Sequence, residues 1–356
     1  MVNRVTLTAL RFQKLLLTWF DQHGRKHLPW QHNKTPYRVF ISEIMLQQTQ
    51  VSTVIPYFER FMQTFPDVAS LAFAKEDEVL HLWAGLGYYS RARNLHRAAK
   101  IILNEYNGTF PSTIAALQKL PGIGPSTAGA IAAIAFNQQA PILDGNVKRV
   151  LTRLHGIMTP VDEKVTEDQL WELAKTYTPT KRVADYTQAM MDLGATLCVR
   201  NKPQCDRCPF SQYCSAHLQG MASLLPKKKA SRALPTRTAT FLILKMKNHI
   251  LLQKRPSIGI WGGLWSLPEM EGQPEKKAIR HFCRQHFRLT ITNIQPLKSF
   301  KHTFSHYHLD IFPVIIEIKS LPSNSMEDTQ QIWYNPHQPE SVGLPKPVQS
   351  ILKTCQ

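Results

Sequence analysis

The chain has 356 residues, more than one typical domain needs and comfortable for two. Lys and Arg number 43 against 25 Asp and Glu, and the resulting net charge of +18 points to a polyanionic partner, nucleic acid before an anionic membrane. No run approaches the roughly 18 apolar residues a membrane span requires, and Arg11, Gln13 and Lys14 interrupt any apolar leader before Trp19. A signal peptide and a membrane partner are therefore not expected, and a cytoplasmic protein is.

Residues 8–23 read as an amphipathic helix. Gln13, Leu16, Trp19 and Phe20 within it faintly resemble a sliding-clamp binding motif, although Leu and Trp at helical spacing also make core. Leu28-Pro-Trp30 reads as a loop, and Thr35-Pro36 as an N-cap with proline at the first helical position. The helix from Tyr37 carries Val39, Phe40, Ile41, Ile44, Met45 and Leu46, with Glu43 among them. Val39 is four residues before Glu43 and Leu46 three after, so the carboxylate shares an apolar face. Burial there raises its pKa, the environment a general acid near neutral pH requires, though a structural Glu paired with Arg would share the pattern. Gln47-Gln48-Thr49-Gln50 offers side-chain amides able to read a base edge, or a solvated helix end.

Helical patterning continues through Val51–Met62, Val68–Trp83 and Arg91–Asn104. Gly85-Leu-Gly-Tyr-Tyr-Ser-Arg-Ala-Arg93 puts Leu86, Tyr88 and Tyr89 beside arginines, which suits wedging into a base stack while gripping phosphate; two core tyrosines would look similar. Ser112–Lys119 reads as a short helix capped by Ser112, broken at Pro121 and Gly122. Gly124 and Pro125 begin a second helix, Ser126–Phe136, rich in Ala and Gly. Two helices joined by this Leu120-Pro-Gly-Ile-Gly124 hairpin direct unpaired N–H groups outward as a seat for phosphate. Asp144 follows in Pro141-Ile-Leu-Asp-Gly-Asn-Val-Lys-Arg149. It reads as the N-cap of a helix near Asn146–His155, and equally as a carboxylate on an apolar floor beside Lys148, Arg149 and Arg153, suited to a positive sugar intermediate.

Asp192-Leu-Gly194 ends another helix and leads into Cys198, Cys205, Cys208 and Cys214. One separated and three closely grouped thiols fit a 4Fe–4S cluster better than zinc, which usually takes two close pairs. Pro226–Arg237 reads as a basic linker. Beyond it the period becomes that of strands: Thr240–Met246 and Ile250–Arg255 as a hairpin, Trp261–Pro268 as a loop and short strand, Leu309–Lys319 and Gln331–Tyr334 as strands. Helices are expected over Pro274–Phe287 and Val348–Lys353. His302-Thr-Phe-Ser-His-Tyr-His308, if extended, places His302, Phe304, His306 and His308 on one face; a three-histidine metal site or a polar loop tip around Ser305 are the two readings.

The hairpin with its aspartate resembles the helix-hairpin-helix DNA glycosylase superfamily. Adding Leu28-Pro-Trp30, Ser42–Gln50, Gly85–Tyr89, the four cysteines and Phe304-Ser-His306, the sequence resembles the MutY-type adenine DNA glycosylases over nearly its whole length. The resemblance implies a multidomain protein: an all-α glycosylase domain (residues 1–225) with a 4Fe–4S loop, a linker (226–237), and an α+β Nudix-like domain (238–356) that recognises 8-oxoguanine. Ala278–Gln285 holds no carboxylate where a Nudix hydrolase keeps its metal-binding Glu cluster, so pyrophosphate hydrolysis is not expected. The implied activity is hydrolytic removal of adenine mispaired with 8-oxoguanine or guanine in duplex DNA, by a monomeric protein of the bacterial nucleoid. By the resemblance, Glu43 protonates the flipped adenine and Asp144 stabilises the oxocarbenium-like sugar. Trp30, Gln31, Leu46, Gln48, Thr49, Leu86, Tyr88, Gly122, Gly124, Ser126 and Gln188 fall at DNA or base contacts, Phe304, Ser305 and His306 at the 8-oxoguanine loop, and the four cysteines at the cluster. Ser126 stands where bifunctional relatives place a Schiff-base lysine, which predicts a monofunctional glycosylase. The rival readings are an endonuclease III-like glycosylase/lyase, a non-catalytic DNA-binding protein and a Nudix hydrolase.

Overall fold

The computed structural model describes residues 7–229, 233–289, 291, 293–318 and 330–355. They form two compact units, residues 1–73 with 94–231 and residues 74–93 with 232–356. Residues 230–232 of the basic linker and Lys319 lie outside the described residues.

The first unit is helical. Its elements are α1 (Ala9–His23), α2 (Pro36–Leu46), α3 (Val51–Thr64) and α4 (Val68–Phe73). After α5 (Glu76–Trp83), which belongs to the second unit, come α6 (Ser90–Glu105), α7 (Ile114–Leu117), α8 (Pro125–Phe136), α9 (Gly145–His155), α10 (Lys164–Tyr177), α11 (Val183–Thr196) and α12 (Ser215–Leu218). α2 starts as its sequence predicts, with the Thr35 hydroxyl accepting from the Arg38 N–H, and α1 starts one residue later than its periodicity suggests, because the Thr8 hydroxyl accepts the Arg11 N–H and caps it. Leu16, Trp19 and Phe20 are buried in the core, so in this fold they pack α1 and do not present a clamp motif. The short helix before the hairpin is capped by Thr113, not Ser112, because it starts one residue later, at Ile114. The run 68–83 is two helices: the Glu78 carboxylate accepts the Lys75 N–H at 2.8 Å and starts a new one. α11 continues past Gly194 to Thr196.

Backbone closeness positions the site. α2 packs on α3 and α8, and α11 on α1, α8 and α9. A Cβ on Gly129 would stand 2.3 Å from the Pro141 carbonyl oxygen, so α8 lies flat against the segment leading to Asp144 only because glycine is there. A Cβ on Gly194 would meet that of Asn146 at 2.6 Å, which brings α11 against the start of α9.

The second unit is a mixed sheet with helices. β1 (Thr236–Met246) runs parallel to β7 (His308–Glu317) over ten residue pairs and antiparallel to β2 (His249–Lys254). β3 (Trp265–Ser266), β4 (Glu269–Glu271), β5 (Gln295–Pro296), β6 (Phe300–Thr303) and β8 (Gln331–Tyr334) complete it. α13 (Lys276–Phe287) buries Ile279 and Cys283 against Leu242, Leu244, Val314 and Ile316, while α14 (Lys346–Thr354) buries Val348, Ile351 and Leu352. Residues 302–308 are not one extended run. β6 and β7 pair antiparallel with Thr303 opposite His308, and the Phe304 N–H donates to the Tyr307 carbonyl, so residues 304–307 form a tight tip. Four aromatic and imidazole groups therefore cannot share a flat face, and Ser305 and His306 stand exposed at the tip.

Candidate active site

A cavity of about 900 Å³ opens in the helical unit, lined by Trp30, Glu43, Leu46, Gln48, Thr49, Ser126, Asp144 and Gln188 among others. The residues expected to act on the base thus converge from α2, α8, α9, α11 and the turn Pro29–Gln31.

Glu43 sits on the inner face of α2, half-buried among Ile44, Met45 and Val39. Burial, and secondarily the nearby Asp144 carboxylate, push its pKa up to about 8. Asp144 is the N-cap of α9. Its Oδ1 accepts the Val147 N–H at 2.8 Å and its Oδ2 accepts Asn146 Nδ2 at 3.3 Å. Burial raises its pKa too, an effect that the Val147 and Asn146 N–H groups and the Arg149 charge offset only in part. Both carboxyl groups are thus held above their ordinary values, and only that of Asp144 has hydrogen bonds and a neighbouring positive charge working against its burial. Asp144 is an N-cap, as one reading of the sequence has it, and its capping carboxylate still lines the cavity.

The supporting contacts are specific. Ser126 Oγ accepts the Leu143 N–H at 3.0 Å, fixing the residue before Asp144. Arg149 donates to the carbonyls of Cys198 (2.7 Å) and Gly194 (2.6 Å) and to Asn146 Oδ1 (2.7 Å). Gln47 Nε2 reaches Thr127 Oγ1 at 3.2 Å and the Gly122 carbonyl at 3.3 Å, tying the end of α2 to the hairpin. Gly122 has φ +81°, and a Cβ there would meet Asn94 Cβ at 2.9 Å; Gly124 caps α8 with open space around it. Trp30 packs edge-on to Phe58 at 5.5 Å.

Sequence reasoning missed one network. Arg25 donates from Nε and Nη2 to Asp192 Oδ1 (2.9 and 2.8 Å), Gln188 Nε2 donates to the same oxygen (2.8 Å), and Gln31 Nε2 donates to Gln188 Oε1. Arg25 and Asp192 are 167 residues apart, so no local pattern marks them.

In the second unit Leu86 is buried, while Tyr88 is 49% exposed with φ +48° and the Arg91 guanidinium 5.6 Å from its ring. Gln48 also has positive φ, +54°. Non-glycine residues held there are strained, and such strain gathers at functional positions. Phe304 lies 5.2 Å from Trp261 and stacks on Tyr307 at 4.7 Å behind the exposed Ser305 and His306. α13 carries no Asp or Glu.

The four cysteines line one narrow pocket with Arg153 and Leu197. Among the described residues no cluster of three or more His, Cys, Asp or Glu is placed to hold a metal ion. A 4Fe–4S cluster takes one thiolate per iron and spreads its four sulfurs further than one ion does, and the all-sulfur donor set suits it. Arg153, 2% exposed, donates to the carbonyls of Val199 (2.7 Å), Arg200 (3.0 Å) and Leu225 (2.9 Å) and to Cys198 Sγ (3.4 Å), pinning this loop to α9. No helix among the described residues is long and apolar enough to cross a membrane.

Residues 41–176 match the HhH-GPD superfamily of base excision DNA repair proteins, and residues 239–354 match the NUDIX domain. The adenine DNA glycosylase of Buchnera aphidicola subsp. Acyrthosiphon pisum is 41% identical over 98% of both chains. That of Rattus norvegicus is 38% identical, covering 84% of this chain and 69% of its own. A thermostable thymine-DNA glycosylase of known structure, 29% identical, superposes with a TM-score of 0.54 over 59% of this chain and 97% of its own. Endonuclease III in a non-covalent DNA complex shares the helical fold, with 23% identity and a TM-score of 0.51 over 61% of this chain and 99% of its own. With the two-carboxyl cavity, the hairpin and both halves accounted for, the chain belongs to the adenine DNA glycosylase family.

Proposed function

We propose that this protein removes adenine from A:8-oxoguanine and A:G mispairs in duplex DNA by hydrolysis, without cutting the strand. The observation that carries the reading is the pairing in one cavity of Glu43, its pKa raised to about 8, with Asp144, whose carboxyl group caps α9 and accepts the Val147 N–H. A flipped adenine needs a proton as the glycosidic bond breaks and its electron pair moves to the base nitrogen. Glu43, protonated at neutral pH, supplies that proton. The positive charge left on the sugar faces the Asp144 carboxylate, and water then adds to the anomeric carbon, giving its proton to Glu43. Ser126 carries no amine, so no Schiff base forms there and the strand survives until alkali cleaves it.

Gly122, Gly124 and the start of α8 provide N–H groups for a backbone phosphate, and Gln48, Thr49 and Leu46 line the cavity edge next to it. Tyr88 is an exposed aromatic suited to wedging. The tip Phe304–His306 is the reader of 8-oxoguanine: its exposed Ser305 and His306 offer hydrogen bonds and stand on an aromatic platform. Cys198, Cys205, Cys208 and Cys214 hold a 4Fe–4S cluster, which shapes the basic loop around Arg200 and Lys202. The protein acts as a monomer in the bacterial cytoplasm, and any clamp contact uses a surface other than the buried face of α1.

One assay tests the reading: base release from A:8-oxoguanine, A:G and thymine-glycol duplexes, with and without alkali. Adenine release with strand breaks only after alkali is expected. Strand nicking without alkali on thymine glycol would assign the protein to the endonuclease III-like lyases instead.

A further inference from the structure

Gln188 lies on α11, 5% exposed, and lines the active-site cavity. One helical turn on, Asp192 is completely buried. Asp192 Oδ1 accepts Gln188 Nε2 at 2.8 Å and both Arg25 Nε and Nη2, while its Oδ2 accepts the Arg25 backbone N–H at 2.8 Å. A carboxylate paired with arginine can only accept hydrogen bonds. The Gln188 amide must therefore turn its nitrogen towards Asp192 and its oxygen away. That oxygen takes the Gln31 amide proton and retains a second lone pair.

We propose that Asp192 is a positioning residue that fixes the polarity of the Gln188 amide, so that the cavity offers the base an acceptor and selects a purine with an exocyclic amino group over one with a carbonyl in its place. This rests on the adenine-releasing activity proposed above. Adenine presents an amino donor at position 6; hypoxanthine presents an oxygen there, which would meet the Gln188 oxygen as acceptor against acceptor. A site built to pair one polar group rejects the wrong one strongly, because its own buried group is left unmatched. An asparagine at 192 both donates and accepts, and no longer dictates which way the amide faces.

The test measures single-turnover release of adenine, hypoxanthine and unsubstituted purine from otherwise identical duplexes, each opposite 8-oxoguanine. The wild type is expected to favour adenine over hypoxanthine. Asp192→Asn should narrow that ratio about 10-fold or more, Gln188→Leu should narrow it similarly, and the double variant should narrow it no further. A merely structural role for Asp192 would lower all three rates in parallel and leave the ratio untouched, and that result overturns the proposal. Should Asp192→Asn fail to fold, Gln188→Glu reports instead. Its carboxylate would have to share a proton with Asp192, so adenine release should fail at lower pH than in the wild type, and an unshifted pH profile overturns the proposal. If the wild type releases adenine but the variants discriminate as it does, the assignment of Asp192 and Gln188 falls while the activity stands. If the wild type releases no adenine, the reading of the activity falls with it.

Discussion

The Ser126 hydroxyl accepts the Leu143 N–H at 3.0 Å, so α8 holds the chain one residue before Asp144. Ser126→Ala leaves that buried N–H without a partner, at a cost of about 1–3 kcal/mol. Asp144 then loses its fixed approach to the sugar, and single-turnover adenine release should fall roughly 10-fold while strand cutting stays absent. Kinetics with and without alkali check both halves.

Gly129→Ala should damage folding although it adds only one methyl group. The new methyl would meet the Pro141 carbonyl oxygen at 2.3 Å, backbone against backbone, with no side chain to give way. A destabilisation of ~1–3 kcal/mol is expected from the overpacking, together with a displaced Asp144. Thermal unfolding and adenine release should both decline.

Arg153→Leu keeps the apolar stem but leaves the carbonyls of Val199, Arg200 and Leu225 unpaired. The cysteine loop loses its anchor to α9. Purified variant should carry less iron and sulfide than wild type and show weaker visible absorption; full incorporation would mean that the thiols alone shape the loop.

Glu43 also leaves a mark on stability. Its folded-state pKa of about 8 lies above the ordinary value of 4.5, so the folded protein binds a proton that the unfolded chain gives up. The stabilisation from that proton is complete below 4.5 and is lost as pH rises towards about 8. Glu43→Gln removes the titration. The variant should therefore unfold at a similar temperature to wild type near pH 4.5 and at a progressively higher one up to pH 8, a gap on the order of a few kcal/mol. Paired thermal scans across that range check the sign.

Much of the site is written locally. Glu43 betrays itself by sharing a face with Val39 and Leu46, and Asp144 by ending an apolar segment before a helix. Thr35-Pro36 marks the start of α2 because a cap hydroxyl and a proline both belong there. Ser112 and Thr113 are adjacent hydroxyls, either able to cap, so packing decides between them. The break before α5 has no Gly or Pro at 74–75 to announce it, and α10 starts after Glu163 with no side-chain cap. The tip at 304–307 bends without a glycine, so nothing local separates it from an extended run. The Arg25–Asp192–Gln188 network joins distant segments and leaves no periodic trace.

The most direct measurement compares wild type with Glu43→Gln on an A:8-oxoguanine duplex, reading binding and single-turnover adenine release together. The amide fills the same space as the carboxyl group but has no acidic proton to give. Binding should stay within a few-fold of wild type while release falls at least ~100-fold. Release at the wild-type rate would show that the proton comes from elsewhere and that the two-carboxyl account of this cavity is wrong.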